Sequence, residues 1–372
     1  MDGLENVVVA ETVLSDVDGA GGRLVIRGVP VEVLADGTPF EATAWLLLED
    51  LFEDLPAEGK FAARLGQARA EAFAASEPLI GAVASLPPVD AIRALIALLP
   101  DGHELDAALR LIAAPAVFTA AVLRVRAGEP AVAPNPALPH AADALRMMRG
   151  EAAEPAKAKA LDAYLVTIID HGLNASTFAA RVAASTGAGL GSAVLAGLST
   201  LKGPLHGGAP GPVIAMLDGI GKPDRALAWM EAALDRGERL MGFGHRIYRV
   251  RDPRADALKR ALLTLSEAMG RRPGRLALAE AVETTALALL KRRKPDRALD
   301  TNVEFYTAVL LDALGFPADA FTCVFAMGRT AGWIAHAREQ RMSGRLIRPQ
   351  SRYVGPAPKT AARSSSPRSA GC

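Results

Sequence analysis

The sequence predicts a mainly α fold with a small β-meander at its N-terminus, and three observations carry that expectation. From Phe40 onward, apolar residues recur about every 3.6 positions, the period of helices with one buried face. Before Phe40 the runs are short and β-branched, with Gly-rich turn chemistry between them. Half of the 372 residues are hydrophobic and 22% are charged, which suits a sizeable core in one large domain or two.

Residues 7–14, 23–27 and 31–34 are the three β-branched runs, and Asp16-Val-Asp-Gly-Ala-Gly-Gly22 forms the turn between the first two. Helices are expected over residues 42–52, 61–73, 89–99 and 105–126, punctuated by Pro87-Pro88, by Pro100-Asp101-Gly102 and by the Pro-rich stretch 130–139. Residues 140–148 form a short helix, and 156–184 a longer pattern broken near Asp170-His171-Gly172. The small residues of 187–201 suit a tightly packed helix. Past His206, residues 223–236, 253–269 and 276–290 are amphipathic. The helix over 302–314 stops at Gly315-Phe316-Pro317, and 318–338 is a long apolar helix containing Arg329. Residues 355–372 are rich in Pro, Ser, Ala and Arg and are expected to be a disordered tail.

Charge and composition narrow the function. A net charge of +1 gives no global attraction to nucleic acid or to a membrane surface, so any anion site must be local. Two cysteines, Cys323 and Cys372, exclude a disulfide framework and fit a reducing compartment. The acidic first six residues lack a signal-peptide pattern. No apolar run is expected to span a bilayer, since 286–290 is cut by Lys291-Arg-Arg-Lys294. A cytoplasmic protein is the expectation. No His or Cys pair has metal-ligand spacing, and neither a Gly-x-Gly-x-x-Gly after a strand nor a P-loop is present, so neither metal nor nucleotide cofactor is indicated.

The chemistry concentrates in three stretches. Lys202-Gly-Pro-Leu-His206-Gly-Gly-Ala209 frames a histidine with turn residues, and Met241-Gly-Phe-Gly-His245-Arg246 repeats the style. Asp300-Thr-Asn-Val-Glu304-Phe-Tyr306 puts a carboxylate among apolar residues at a helix start, where the helix dipole alone would also explain it. One such histidine would be read as a loop cap; two, with a carboxylate and several arginines, point to acid/base chemistry on a small polyanion. Arg254 and Arg348 would otherwise be surface ion-pair partners. Arg329, within Phe325-Ala-Met-Gly-Arg-Thr-Ala-Gly-Trp333, is too apolar in setting for that and calls for a buried anionic partner or ligand. His171 is ambiguous alone, His103 and His140 are assigned to loops, and His336 is assigned to packing or to support of the site.

These motifs, taken in order, resemble the citrate synthase family, of the short bacterial kind that includes 2-methylcitrate synthases. The resemblance runs from Val7 to Tyr353. It is carried by Asp170-His-Gly-Leu-Asn-Ala-Ser-Thr177, Gly203-Pro-Leu-His-Gly-Gly208, Gly242-Phe-Gly-His-Arg246 with Asp252-Pro-Arg-Ala255, Asn302-Val-Glu-Phe-Tyr306, and Arg329-Thr-Ala-Gly-Trp-Ile-Ala-His336 with Arg348-Pro349. It implies a two-domain helical fold: a large domain from residues 1–209 and 321–354, and a small domain from 210–320. It implies condensation of acetyl-CoA or propionyl-CoA with oxaloacetate, with thioester hydrolysis and no further cofactor. His206 matches the donor to the enolate oxygen, Glu304 the base, and His245 the histidine that polarises the ketone. Arg254, Arg329 and Arg348 match the carboxylate binders, with His171 beside them. Arg348 resembles the arginine that enters a partner subunit's site, which implies a homodimer. Met241, Gly242, Phe243 and Gly244 are the implied CoA contact, with Arg249 and Arg251 as phosphate partners. Most members have aspartate where Glu304 stands, although some short ones share the glutamate. That departure keeps open a rival reading, a silent paralogue that binds oxaloacetate or CoA as a sensor or assembly partner.

Overall fold

A computed structural model describes residues 3–4, 7–207, 210–270 and 274–356. Among them are fifteen α-helices and one three-stranded antiparallel sheet. The expected tail falls largely on 357–372, outside the described residues.

The sheet runs β1 (Ser15–Asp18), β2 (Arg23–Ile26), β3 (Val29–Pro30), with Ser15 opposite Ile26 and Ile26 opposite Val29. Two expectations fail here. Residues 7–14 are not a strand: Val7, Val8 and Val13 point to solvent, and β1 begins at Ser15 and runs to Asp18, into the segment read as turn. The third β-branched run is helix α1 (Val31–Ala35), in which Val31 and Leu34 are buried at i, i+3 spacing.

The helical body follows the sequence closely. Its first part comprises α2 (Phe40–Leu48), α3 (Glu58–Val83), α4 (Pro88–Ile96) and α5 (Leu105–Arg126), then α6 (His140–Arg149), α7 (Pro155–Thr167), α8 (Ala175–Ser185) and α9 (Leu190–Leu201). His140 opens α6 and is buried, rather than lying in a loop. Then come α10 (Pro210–Ile220), α11 (Ala226–Asp235), α12 (Pro253–Ala268), α13 (Leu276–Arg293), α14 (Val303–Leu314) and α15 (Phe321–Ser343). Gly315 ends α14 in the left-handed conformation at φ +87°, the geometry that makes glycine a helix stop.

The centre of the core is α5, packed on α3, α4, α6 and α15. By length and composition α5 is apolar enough to cross a membrane, which corrects the expectation that no run is, and most of it is buried inside this fold. The antiparallel pair α8 and α9 leans on α15. On the other side α12 packs on α7 and α14, and α10 on α14. The breaks at 168–174, 202–207, 236–252 and 294–302 bring their residues to one region of the body.

The α9–α15 contact depends on Gly197. A Cβ there would sit 2.7 Å from Cδ2 of the fully buried Trp333 ring. Gly197→Ala should destabilise the protein by about 1–3 kcal/mol through overpacking, despite a helix-propensity gain of about 1 kcal/mol. A urea unfolding midpoint at or above the wild-type value would contradict this.

Candidate active site

Three helix starts deliver the site, and each is built the same way. Asn174, Asp252 and Asn302 are the N-caps of α8, α12 and α14. Each cap oxygen accepts from the backbone N–H of the residue two positions on: Ser176 (3.1 Å), Arg254 (3.0 Å) and Glu304 (3.1 Å). The caps thus fix the backbone of three polar residues while satisfying orphan helix donors.

The histidines come from the intervening loops. His245 Nδ1 accepts from the N–H groups of Ile247 (3.0 Å) and Tyr248 (3.1 Å). A nitrogen that accepts twice carries no proton, so the ring proton of neutral His245 is on Nε2. His171 Nε2 lies 3.1 Å from the Tyr248 hydroxyl, and its ring meets that of His245 edge-on at 5.8 Å. His206 Nε2 lies 2.9 Å from Ser176 Oγ, which also accepts from Trp333 Nε1 at 3.1 Å. Burial first, and the Arg254 and Arg329 charges second, push His171 well below its ordinary value and hold His206 at about 4. Burial and Arg254 hold His245 at about 4, with Asp252 opposing. All three rings are neutral at pH 7.

Glu304 sits in the first turn of α14, half-buried, and its Oε2 is buried with no hydrogen-bond partner among the described residues. Burial raises its carboxyl to about 7; Asp252 adds to the rise, while Arg254 and Arg329 oppose it. Arg254 is paired: Nε and Nη2 bond Oδ1 and Oδ2 of Asp252 at 3.0 and 2.8 Å, with both side chains buried. Asp252 Oδ2 also accepts from Val303 N–H at 3.2 Å, tying α12 to the start of α14. Arg329 is not paired in this way. Its Nε donates to Ile168 O at 2.7 Å, its guanidinium lies 4.8 Å from the Phe325 centroid, and its buried Nη2 has no hydrogen-bond partner among the described residues. Burial lowers it to about 10, so it is still charged at neutral pH. A buried cation in this state is a receptor for a carboxylate.

His171, His206, His245, Glu304, Arg254 and Arg329 therefore come together. Arg348 does not; it is exposed in a segment after α15, with Ile347 N–H bonded to Ser185 Oγ. The stretch 241–244 lies against the Glu304 loop. Phe243 pairs with Thr301, Gly244 N–H donates to Asp300 O at 2.7 Å, and a Cβ on Gly242 (φ +86°) would meet the Phe305 ring at 2.8 Å. Arg249 is exposed. Arg251 is not available as expected: it bridges Asp256 (2.6 Å) and Glu283 (2.8 Å). Although burial works against it, bonds from Lys259, Tyr306 and Thr301 and the Arg251 charge hold Glu283 at about 2. Sequence reasoning missed Ser176, Tyr248 and Asp252 as parts of the site. The Asn174-x-Ser and Asp252-Pro253 cap patterns were the available signals for the first and the last. His336 has the supporting place expected, donating from Nε2 to Asp170 (3.2 Å) while Nδ1 accepts from Arg181 (2.9 Å).

Comparison with known proteins shows the family and the fold. The family model described as citrate synthase, C-terminal domain, matches residues 3–350. A putative citrate synthase 2 of Mycobacterium tuberculosis is 39% identical over 367 residues, covering 96% of this chain and 94% of the relative. A 2-methylcitrate synthase of the same organism is 36% identical over 365 residues, covering 95% and 90%. The fold matches a citrate synthase from Thermoplasma acidophilum, solved as a ternary complex with carboxymethyl coenzyme A and oxaloacetate, at a TM-score of 0.84 and 30% identity over 96% of this chain and 97% of that one.

The raised Glu304 carboxyl has a cost in the free protein. Its native value of about 7 exceeds the ordinary 4.5, so its contribution to stability is fully present below pH 4.5 and is lost as pH rises through 7. Glu304→Gln should therefore be more stable than wild type at pH 8 by on the order of 3 kcal/mol, and nearly equal to it at pH 4. Denaturant unfolding at the two pH values checks this; the same difference at both would contradict it.

Proposed function

We propose that this chain, which belongs to the citrate synthase family, condenses the acyl group of acetyl-CoA or propionyl-CoA with oxaloacetate and hydrolyses the thioester, releasing citrate or 2-methylcitrate and CoA. The observation that carries the reading is a buried, partly uncompensated pair of guanidiniums beside a proton-accepting carboxylate and two neutral histidines.

In this reading Arg329 and Arg254, with His171, hold the oxaloacetate carboxylates, and planar guanidinium forks suit them. His245 donates its Nε2 proton toward the ketone oxygen, the tautomer that its two backbone bonds require. Glu304 removes a proton from the acyl α-carbon, a weak acid that a carboxylate cannot ionise unaided. His206 makes that possible by donating to the thioester oxygen as the enolate forms. It does so from Nδ1 once the Ser176 hydroxyl turns from Asn174 Oδ1, to which it donates at 2.8 Å in the free protein, and donates to Nε2 2.9 Å away. The α-carbon then attacks the ketone carbon, and the alkoxide takes its proton from the His245 side. Water hydrolyses the resulting acyl-CoA to the free acid and CoA thiol. Neutral imidazoles suit both donations, because an imidazolium would give its proton away too early.

Residues 241–244 and Arg249 are the proposed CoA contact, and Arg251 supports Glu283 instead. Residues 1–209 with 321–354 form a large domain and 210–320 a small one, and closure between them excludes water before the enolate forms. The enzyme works in the cytoplasm as a homodimer in which Arg348 enters the partner's site. The relatives and structural neighbours are named as citrate synthases and 2-methylcitrate synthases, which does not favour the silent-paralogue reading. One methylene in an apolar pocket is worth only about 1–3 kcal/mol, so the two acyl-CoAs are separated by assay.

Purified protein should release thiol from acetyl-CoA or propionyl-CoA only when oxaloacetate is present; release from neither would overturn the reading. Glu304→Gln should slow exchange of the acyl α-protons by about a hundredfold or more while leaving oxaloacetate binding intact, and unchanged exchange would reduce Glu304 to a helix-start carboxylate. Mixed Arg348→Ala and His206→Ala subunits should regain activity through hybrid sites, and no recovery after confirmed exchange would exclude shared sites.

A further inference from the structure

Strand β1 and the Gly-rich turn after it, residues 15–22, take no part in the chemistry above, yet they touch both sides of the site. At the base of this hairpin, Ser15 Oγ donates to Asp170 Oδ2 and accepts from Gly172 N–H at 3.1 Å, so it grips the residues on either side of His171. At its tip, Gly19 O accepts from Arg249 N–H at 2.8 Å. A Cβ on Gly22 (φ +65°) would lie 2.6 Å from Val250 Cγ2. A Cβ on Gly19 would collide with the Ile247 carbonyl oxygen and come within 2.7 Å of Ile247 Cγ2. The hairpin is thus a strap from the His171 loop to the His245 loop, about 10 Å along β1 at strand rise.

What Gly19 touches is the significant detail. The Ile247 carbonyl and the Tyr248 N–H belong to one planar peptide unit. That N–H, with the one before it, is what holds His245 Nδ1 as an acceptor. Displacing the Ile247 oxygen must therefore move the group that sets the orientation and tautomer of His245. Gly19 does not have the positive φ that would demand glycine, so its backbone is open to any residue and only the lack of space requires glycine.

We propose that residues 15–22, strand β1 with its following turn, are a positioning element for His245, with Gly19 the contact that sets the 247–248 peptide and Ser15 the anchor that ties it to the His171 loop. The catalytic consequence rests on the function proposed for His245; the geometry does not. The strap acts through His245 and touches no reacting atom.

The test uses the full-length, ligand-free protein labelled with 15N-histidine, the His245 signal being assigned by its loss in His245→Asn. Wild type should show a bare Nδ1 and a protonated Nε2. Gly19→Ala should mix the two tautomers and lower kcat/KM for oxaloacetate by about tenfold or more. Gly59→Ala, at an exposed helical glycine with nothing within 4 Å of the added carbon, should change neither. Ser15→Ala removes one hydroxyl and adds no volume; it should shift the same resonance in the same direction, and it carries the test if Gly19→Ala does not fold. An unchanged His245 signal in the folded variants overturns the proposal. A shifted signal in a protein whose wild type releases no thiol supports the strap and removes only the catalytic reading.

Discussion

Two guanidiniums are buried in one site and a single carboxylate, Asp252, is paired with one of them. Most of the site's electrostatics follow from that imbalance. Arg254 is neutralised through two bonds to Asp252, whereas Arg329 bonds only a carbonyl among the described residues, faces an aromatic ring, and has the Asp170 charge near it without a bond. A positive potential in a buried site disfavours any further cation, which reinforces the effect of burial on His171, His206 and His245. It also restrains the Glu304 carboxyl, which burial would otherwise raise further, to about 7. The same charge that keeps the histidines neutral is the charge that a dicarboxylate would satisfy.

The geometry around that charge is set by backbone. Each capped helix start places a polar residue two positions beyond an Asn or Asp cap, and Asp252 serves as cap, as counter-ion and as a bond to the first turn of α14. Arg254 and Glu304 are therefore held relative to each other by one side chain. The loop glycines serve the same end. Gly242 and Gly244 let the His245 loop lie flat on residues 299–305, so His245 and Glu304 rest on one surface.

Most of the helical body was legible because its period is strong and Pro or Gly bounds nearly every helix. The N-terminal segment was not. Residues 7–14 are β-branched without a strand to pair with in the described chain, and residues 31–34 bury Val31 and Leu34 on one helical face although their composition reads as strand. Within the site, His206, His245 and Glu304 stood out by their framing, and Arg329 by its apolar neighbours. The residues that orient them did not, because their contacts cross the chain: Ser176 lies 30 positions from His206, and Tyr248 lies 77 from His171. Arg251 looked free for the same reason, since its partner Glu283 belongs to another helix.

The central claim is that Arg329 is held in an unfavourable state that a dicarboxylate relieves. Thermal unfolding of wild type and Arg329→Met, each with and without saturating oxaloacetate, measures it most directly. The account predicts that the ligand-free variant melts no lower than ligand-free wild type, because an unpaired buried charge has been removed, and that oxaloacetate raises the melting temperature of wild type but not of the variant. A variant that melts well below wild type without ligand, yet is still stabilised by oxaloacetate, would contradict it.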